Sequence, residues 1–173
     1  MKSADAPDTD IRIQTADFDA GVEYQSLRRD AGTGAIATFT GLVRDYGDHT
    51  GVQGLFLEHF PGMTENVIGE LVADARQRWQ VGGVRVIHRV GALSLGEQIV
   101  FVGVASSHRS DAFAACQFLM DALKTSAPFW KKEVTEDGEH WVEQKASDRD
   151  RSERWYRQES EPAPPETEKP RAK

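Results

Sequence analysis

"VFVGVASSHRSDAFAACQFLMDALKTSAPFWKKE", residues 100–133, passes from strand to helix to strand in one unbroken run. Its first part, with the flanking residues 97–106, is apolar on both alternating faces, the pattern of a strand with a neighbour on each side. The spacing then changes. Phe113, Cys116, Met120 and Leu123 recur at helical intervals, so residues 110–127 read as a helix that buries those four, with Ser110 as its cap. Pro128 has no N–H and ends it. In "FWKKEV" (129–134) the alternation returns, with Phe129, Lys131 and Glu133 on one face and Trp130, Lys132 and Val134 on the other.

Downstream, "HWVEQ" (140–144) is a second short strand, joined to the first through a hairpin turn at Asp137-Gly138. "ASDRDRSERWYRQ" continues as an exposed helix. Residues 158–173 hold four of the seven prolines and no large apolar side chain, so a disordered tail is expected there. Upstream, residues 1–9 read as a flexible leader, 11–14 and 34–45 as strands, and 18–32 as a helix stopped by Gly32. "DYGDHTG" (45–51) reads as a mobile polar loop and 52–60 as a strand. In 64–79, Val67, Leu71 and Ala75 form one helical stripe with Ile68, Val72 and Trp79 beside it, and Thr64 stands at the N-cap position. Residues 84–91 are a strand, linked to 97–106 by the connector "ALSLG". Helices interleave with strands, but the hairpin and the short spacings argue against a doubly wound parallel sheet. The expected class is α+β: one domain over 10–157, a mixed or antiparallel sheet, two main helices and a C-terminal hairpin.

A chain of 173 residues with 39% apolar and 28% charged side chains builds one soluble core. No apolar run approaches the roughly 20 residues that span a bilayer, and "MKSADAPDTD" has no apolar stretch of the signal-peptide kind. A cytoplasmic protein without membrane partners is expected. The single cysteine, Cys116, excludes an internal disulfide, and the five histidines show no close ligand pairing, so no metal site is expected. Net charge is -7, and because acids and bases balance from Ala146 onward, the excess lies in residues 1–145. An acidic body argues against nucleic-acid binding, which needs a basic footprint.

Against that background "LKTSAPFWKKE" (123–133) gathers three lysines around an apolar centre. Each has an ordinary explanation: Lys124 complements the helix dipole and Lys131 alternates along a strand. Together they raise another one. Pro128 turns the chain back just after Lys124, which permits Lys124 and Lys131 to converge on one pocket, where neighbouring positive charge lowers a lysine pKa. His108-Arg109, between a strand end and a helix N-terminus, form a candidate anion site. Arg44 closes another strand just before the polar loop.

"FTGLVRD", "LFLEHFPGMTE", "HRVGALSLGE", "DGEHWVE" and the opening stretch occur across residues 34–143 in an order that resembles the large, catalytic subunit of molybdopterin synthase. The resemblance implies an α/β-hammerhead fold and the transfer of two sulfurs into cyclic pyranopterin monophosphate, forming the dithiolene. It also implies a ubiquitin-fold partner that carries sulfur as a thiocarboxylate on its C-terminal glycine, a heterotetramer with a central dimer of large subunits, and no cofactor. By its motifs, Arg44 with Leu42 and Val43 lines the substrate site. His108 and Arg109 hold phosphate, Lys124 and Lys131 are catalytic, and Lys132 and Glu133 continue the binding segment. Phe39 and Lys145 fall to the pocket for the partner's tail. Two positions depart from the pattern: Phe60 replaces a more usual Tyr, and Lys145 replaces a more usual Arg, turning a forked donor into a point charge. Two other functions fit the same residues, a non-catalytic partner-binding homologue and a lysine Schiff-base enzyme acting on a small phosphorylated substrate.

Overall fold

The apolar run Gln98–Ser106 lies inside a sheet, and seven of its nine positions are buried. The computed structural model describes residues 8–28 and 31–157. In chain order these form β1 (Thr9–Gln14), α1 (Ala20–Leu27), β2 (Ala35–Leu42), β3 (Gly54–His59), α2 (Met63–Arg78) and β4 (Val84–Arg89). There follow β5 (Gly91–Ser94), β6 (Gln98–Ser106), α3 (Arg109–Thr125), β7 (Phe129–Thr135), β8 (Gly138–Val142) and α4 (Ala146–Arg157).

Where one mixed or antiparallel sheet was expected, the strands make two, ordered β1-β4-β6-β2 and β5-β3-β7-β8. The first is mixed, with β1 parallel to β4 and the other pairs antiparallel, and the second is antiparallel throughout. This is the expected α+β fold of hammerhead type. One face of the first sheet is covered by α2 and α3. Ile68, Val72 and Ala75 of α2 and Ala115, Phe118 and Leu119 of α3 meet Val86, Val102 and Val104 in one buried cluster. Each such large side chain contributes about 1.5–3 kcal/mol through removal from water. On the other face Phe18 packs edge-on against Phe101, ring centres 6.0 Å apart. A separate cluster of Val43, Val52, Leu55, Leu57 and Leu93 sits at the second sheet.

Several expectations are corrected. "GALS" is strand β5, not a connector: Gly91, at φ +85°, takes the left-handed turn that carries the chain from the first sheet into the second. Of the expected stripe Cys116 and Leu123 are buried and Met120 is half-buried, but Phe113 is 69% exposed, because the buried face of α3 extends the other way onto Ala112, Ala115, Phe118, Leu119 and Ala122. α3 also starts at Arg109, so Ser110 lies inside it and His108 is the N-cap, without a side-chain cap bond. Thr64 likewise lies inside α2. Its Oγ1 accepts from Phe60 N and donates to Pro128 O, tying the helix start to β7. The last helix is exposed on one side only. Trp155 stacks edge-on against Trp79 and Phe118, and its Nε1 donates to Asp121 at 2.9 Å. β1 begins at Thr9, and Asp8 pairs with Arg85 at 2.9 Å, so the leader expected over 1–9 is ordered at its end. Residues 1–7 and the tail expected over 158–173 lie outside the described residues.

Candidate active site

A cleft of about 880 Å³ opens where the end of β2, the C-terminal end of α3 and one face of β7 meet. That is the size range of small-molecule sites. Lys124, in the last turn of α3, reaches it from one side. Pro128 then returns the chain, and Phe129, Lys131 and Glu133 line the cleft from a single face of β7, as strand alternation requires. Arg44 enters from the segment after β2, its guanidinium 4.4 Å above the Tyr46 ring centre. Lys145, just beyond β8, adds to the cationic lining. The convergence expected of Lys124 and Lys131 is thus present.

Charge and burial act on Lys131 together. Desolvation is the main force lowering its pKa below the ordinary lysine value of 10.5, and Lys124 and Lys145 push the same way against Glu133 and Asp48. Glu133 is only 2% exposed. Burial works to raise its pKa. The His49 side chain, the Asp48 and His49 backbone N–H groups and Lys131 outweigh that, and its carboxyl lies below 4.5. The donors are close: Asp48 N at 3.1 Å, His49 N at 3.0 Å and His49 Nδ1 at 2.8 Å. A Cβ at Gly47 would collide with this carboxylate, so the approach requires glycine there. Lys145 Nζ pairs with Asp48 Oδ1 at 2.8 Å. The segment expected to be a mobile polar loop (45–51) is therefore fastened at two points, and it holds Tyr46, with Arg44 just before it, in the cleft.

Other expected site residues lie elsewhere. Lys132 points from the opposite face of β7, paired with Glu139 at 3.2 Å and lying over the Trp141 ring at 4.4 Å. Val43 is 3% exposed and belongs to the apolar cluster at the second sheet, whereas Leu42 and Phe39 line the cleft. His108 and Arg109 are exposed at the start of α3, and Lys124 is in its last turn. At 1.5 Å per residue about 22 Å of helix separates them, so one chain does not bring the pair to its own lysines. Cys116 is buried, its thiol pushed up to about 11 by desolvation. Among the described residues no group of three His, Cys, Asp or Glu side chains is placed to hold a metal ion, and no helix is long and apolar enough to cross a membrane.

Among the residues of the cleft that sequence reasoning missed are Tyr46, His88, Asp148 and Arg151. Tyr46 sat in a segment read as loop, and Arg151 in a helix read as exposed. His88 is flanked in β4 by residues that are all buried, which gave it the pattern of a core position.

The chain resembles known proteins along most of its length. The model of the family described as "MoaE protein" matches residues 13–126. A protein named molybdopterin synthase catalytic subunit from Pseudomonas aeruginosa is 52% identical over 146 residues, 84% of this chain and 97% of that protein. One of the same name from Escherichia coli is 51% identical over 148 residues, 86% of this chain and 99% of its own length. A solved structure, the molybdopterin biosynthesis MoaE protein from Burkholderia ambifaria, superposes with a TM-score of 0.72 at 49% identity, covering 84% of this chain and 97% of that one. With a family match over most of its described residues and relatives about half identical along nearly their whole length, the chain belongs to the MoaE protein family.

Proposed function

We propose that this chain is the catalytic subunit of a molybdopterin synthase, moving two sulfurs from the thiocarboxylated C-terminal glycine of a ubiquitin-fold partner into cyclic pyranopterin monophosphate. The observation that carries the reading is the meeting of Lys124, Lys131 and Arg44 in one cleft of substrate size. In each transfer the thiocarboxylate sulfur bonds to a substrate carbon as a C–O bond at that carbon breaks, one oxygen leaving on the opened cyclic phosphate and the other as water. Water then attacks the glycine carbonyl, its C–S bond breaks, the partner keeps a carboxylate and the sulfur stays on the pterin. Negative charge builds on the carbonyl oxygen during that attack, and a fixed ammonium donor stabilises it. Lys124 takes this central role. Lys131, with its lowered pKa, exchanges protons more readily near neutral pH than an ordinary lysine and assists.

Arg44 suits the substrate phosphate through its forked donors. Leu42 provides an apolar wall, and Phe39 and Lys145 border the space for the partner's glycine tail. Glu133 acts through the segment it fastens, since its oxygens already serve His49 and Asp48. His108 and Arg109 serve a pocket across the central dimer of the heterotetramer, where a second copy brings them to the first copy's lysines. The reading needs no cofactor. A cytoplasmic location is part of it, in keeping with a chain whose one cysteine is a free thiol.

The test is mass spectrometry of a single turnover containing this protein, the thiocarboxylated partner and cyclic pyranopterin monophosphate, run beside Lys124→Ala. The expected result is loss of sulfur from the partner and gain of two by the pterin, only with Lys124 intact. Partner binding without sulfur movement would leave a binding module in place of an enzyme. A borohydride-trapped substrate adduct on Lys124 would mark Schiff-base chemistry.

A further inference from the structure

We infer that His88 is a substrate-binding residue whose Nε2 accepts a hydrogen bond from an N–H of the pterin ring system at the floor of the cleft. The inference rests on the synthase reading and adds to it the group that orients the heterocycle.

The imidazole is fixed on two sides. Its ring stacks on Phe129, centres 3.9 Å apart and planes within 19°. Its Nδ1 lies 2.8 Å from the Arg89 carbonyl oxygen. A carbonyl oxygen only accepts, so Nδ1 carries the proton and the lone pair of the neutral ring belongs to Nε2. Burial lowers the His88 pKa to about 4, which keeps the ring neutral at working pH.

Nε2 makes no hydrogen bond to the described residues. It is not sealed in either: among the described residues the fully buried side-chain nitrogens and oxygens without a hydrogen bond are Arg12 Nε and Arg76 Nε. His88 is 9% exposed, and the space it borders is the cleft. Register explains the placement. Gly41 pairs with Val100 and Val100 with His88, so the three form one cross-strand row on the same face, and all three line the cleft. A Cβ at Gly41 would come within 2.9 Å of Val100 Cγ1, so glycine keeps this row open to the cleft.

The chemistry of the lining gives the acceptor its purpose. Arg44, Lys124, Lys131 and Lys145 only donate, whereas a pterin edge presents amide and amine N–H groups that need acceptors. Glu133 is occupied by three donors, and Asp148 faces Arg151 at 4.0 Å. His88 Nε2 offers an uncharged acceptor from β4, deeper than the exposed Glu143 and Gln144 that also line the cleft, and an anionic substrate meets no repulsion from it.

Two measurements test this. The first is calorimetric binding of cyclic pyranopterin monophosphate in the presence of the small subunit without its thiocarboxylate. His88→Phe keeps the stacking shape and removes the acceptor, while His88→Gln places an amide oxygen near the Nε2 position. The expected Kd rises about tenfold in the Phe variant and returns to within about threefold of wild type in the Gln variant, with small-subunit affinity unchanged. An unchanged Kd in the Phe variant overturns the inference. The second measurement uses the unmodified protein, so it stands even where a variant fails to fold: the 15N resonance of His88 Nε2, followed as the pterin is added. A shift toward lower frequency is expected for an accepting nitrogen, and a resonance that does not move overturns the inference whatever the variants show. If the pterin binds and shifts the resonance but no sulfur moves in turnover, the acceptor stands and the synthase reading falls. If wild type does not bind the pterin, both fall.

Discussion

Glu133 and His49 stand 84 positions apart in the chain, yet Oε2 of one accepts from Nδ1 of the other at 2.8 Å. With the two backbone N–H groups that Glu133 also accepts, this contact turns a glycine-containing polar segment into a fixed wall of the cleft. Buried carboxylates are tolerated where several donors meet them, and this one meets three.

Glu133→Gln should loosen that wall. The amide retains one acceptor oxygen and presents an NH2 where backbone donors now point, stranding at least one of them at a cost of about 1–3 kcal/mol. Hydrogen exchange is expected to speed up at the Asp48 and His49 amides, and the KM for the pterin to rise because Arg44 and Tyr46 sit on the same segment. Amides that stay protected in the variant would refute the fastening role.

Lys131 and Lys132 are adjacent in sequence and opposite in space. Lys131→Ala should lower kcat/KM by about 100-fold or more, the usual scale for loss of a proton-handling group. Lys132→Ala should change it by less than about threefold, since Lys132 is engaged with Glu139 and Trp141 outside the cleft. Steady-state kinetics on the two variants decides the matter. Equal losses would mean that both faces of β7 contact substrate or partner.

These cases mark what sequence could reveal. Alternation along 129–134 assigned the two faces of β7 correctly, and Pro128 marked the reversal that brings Lys124 and Lys131 together. The resemblance then drew Lys132 and Val43 into the site, because a run of adjacent residues transfers more easily than the face each one occupies. Strand β5 escaped notice because four residues carry too few alternations to register. The fastening of Asp48 and His49 was invisible because its anchor, Glu133, is about 85 residues away and looks like any strand carboxylate. His88 was hidden by its neighbours, which are all buried. Local pattern thus recovered the elements and the cationic cluster, and missed what depends on two sheets meeting.

Acid stability should fall in two separable steps. His88 has a folded pKa of about 4 against an ordinary 6.5, so between those values the unfolded chain binds a proton that the folded one refuses. Stability therefore declines as pH drops from about 6.5 to 4, by up to about 3 kcal/mol, and this part levels off below that. Glu133 has a folded pKa below 4.5, so its contribution is fully present above that value and is lost as pH falls through the lowered one. Urea denaturation from pH 7 to 3 should show the first step abolished in His88→Phe and retained in Glu133→Gln. A wild-type curve flat between pH 6.5 and 4.5 would contradict the buried neutral histidine.

The separation of Arg109 from Lys124 leads to a test by complementation. About 22 Å of α3 lies between them, so a pocket that needs both must take one from each copy of a symmetric dimer. Arg109→Ala and Lys124→Ala should each be nearly inactive alone. In a mixed dimer, one site combines the intact Lys124 of the first variant with the intact Arg109 of the second, while the other site lacks both. Random exchange of subunits makes half of the dimers mixed, so activity should return to about a quarter of wild type. The measurement is sulfur transfer after co-refolding the two variants, with each refolded alone as the baseline. Activity that stays at a low baseline while mixed dimers form would overturn the sharing of one pocket by two copies, and an Arg109→Ala variant that is active alone would place Arg109 outside the pocket altogether.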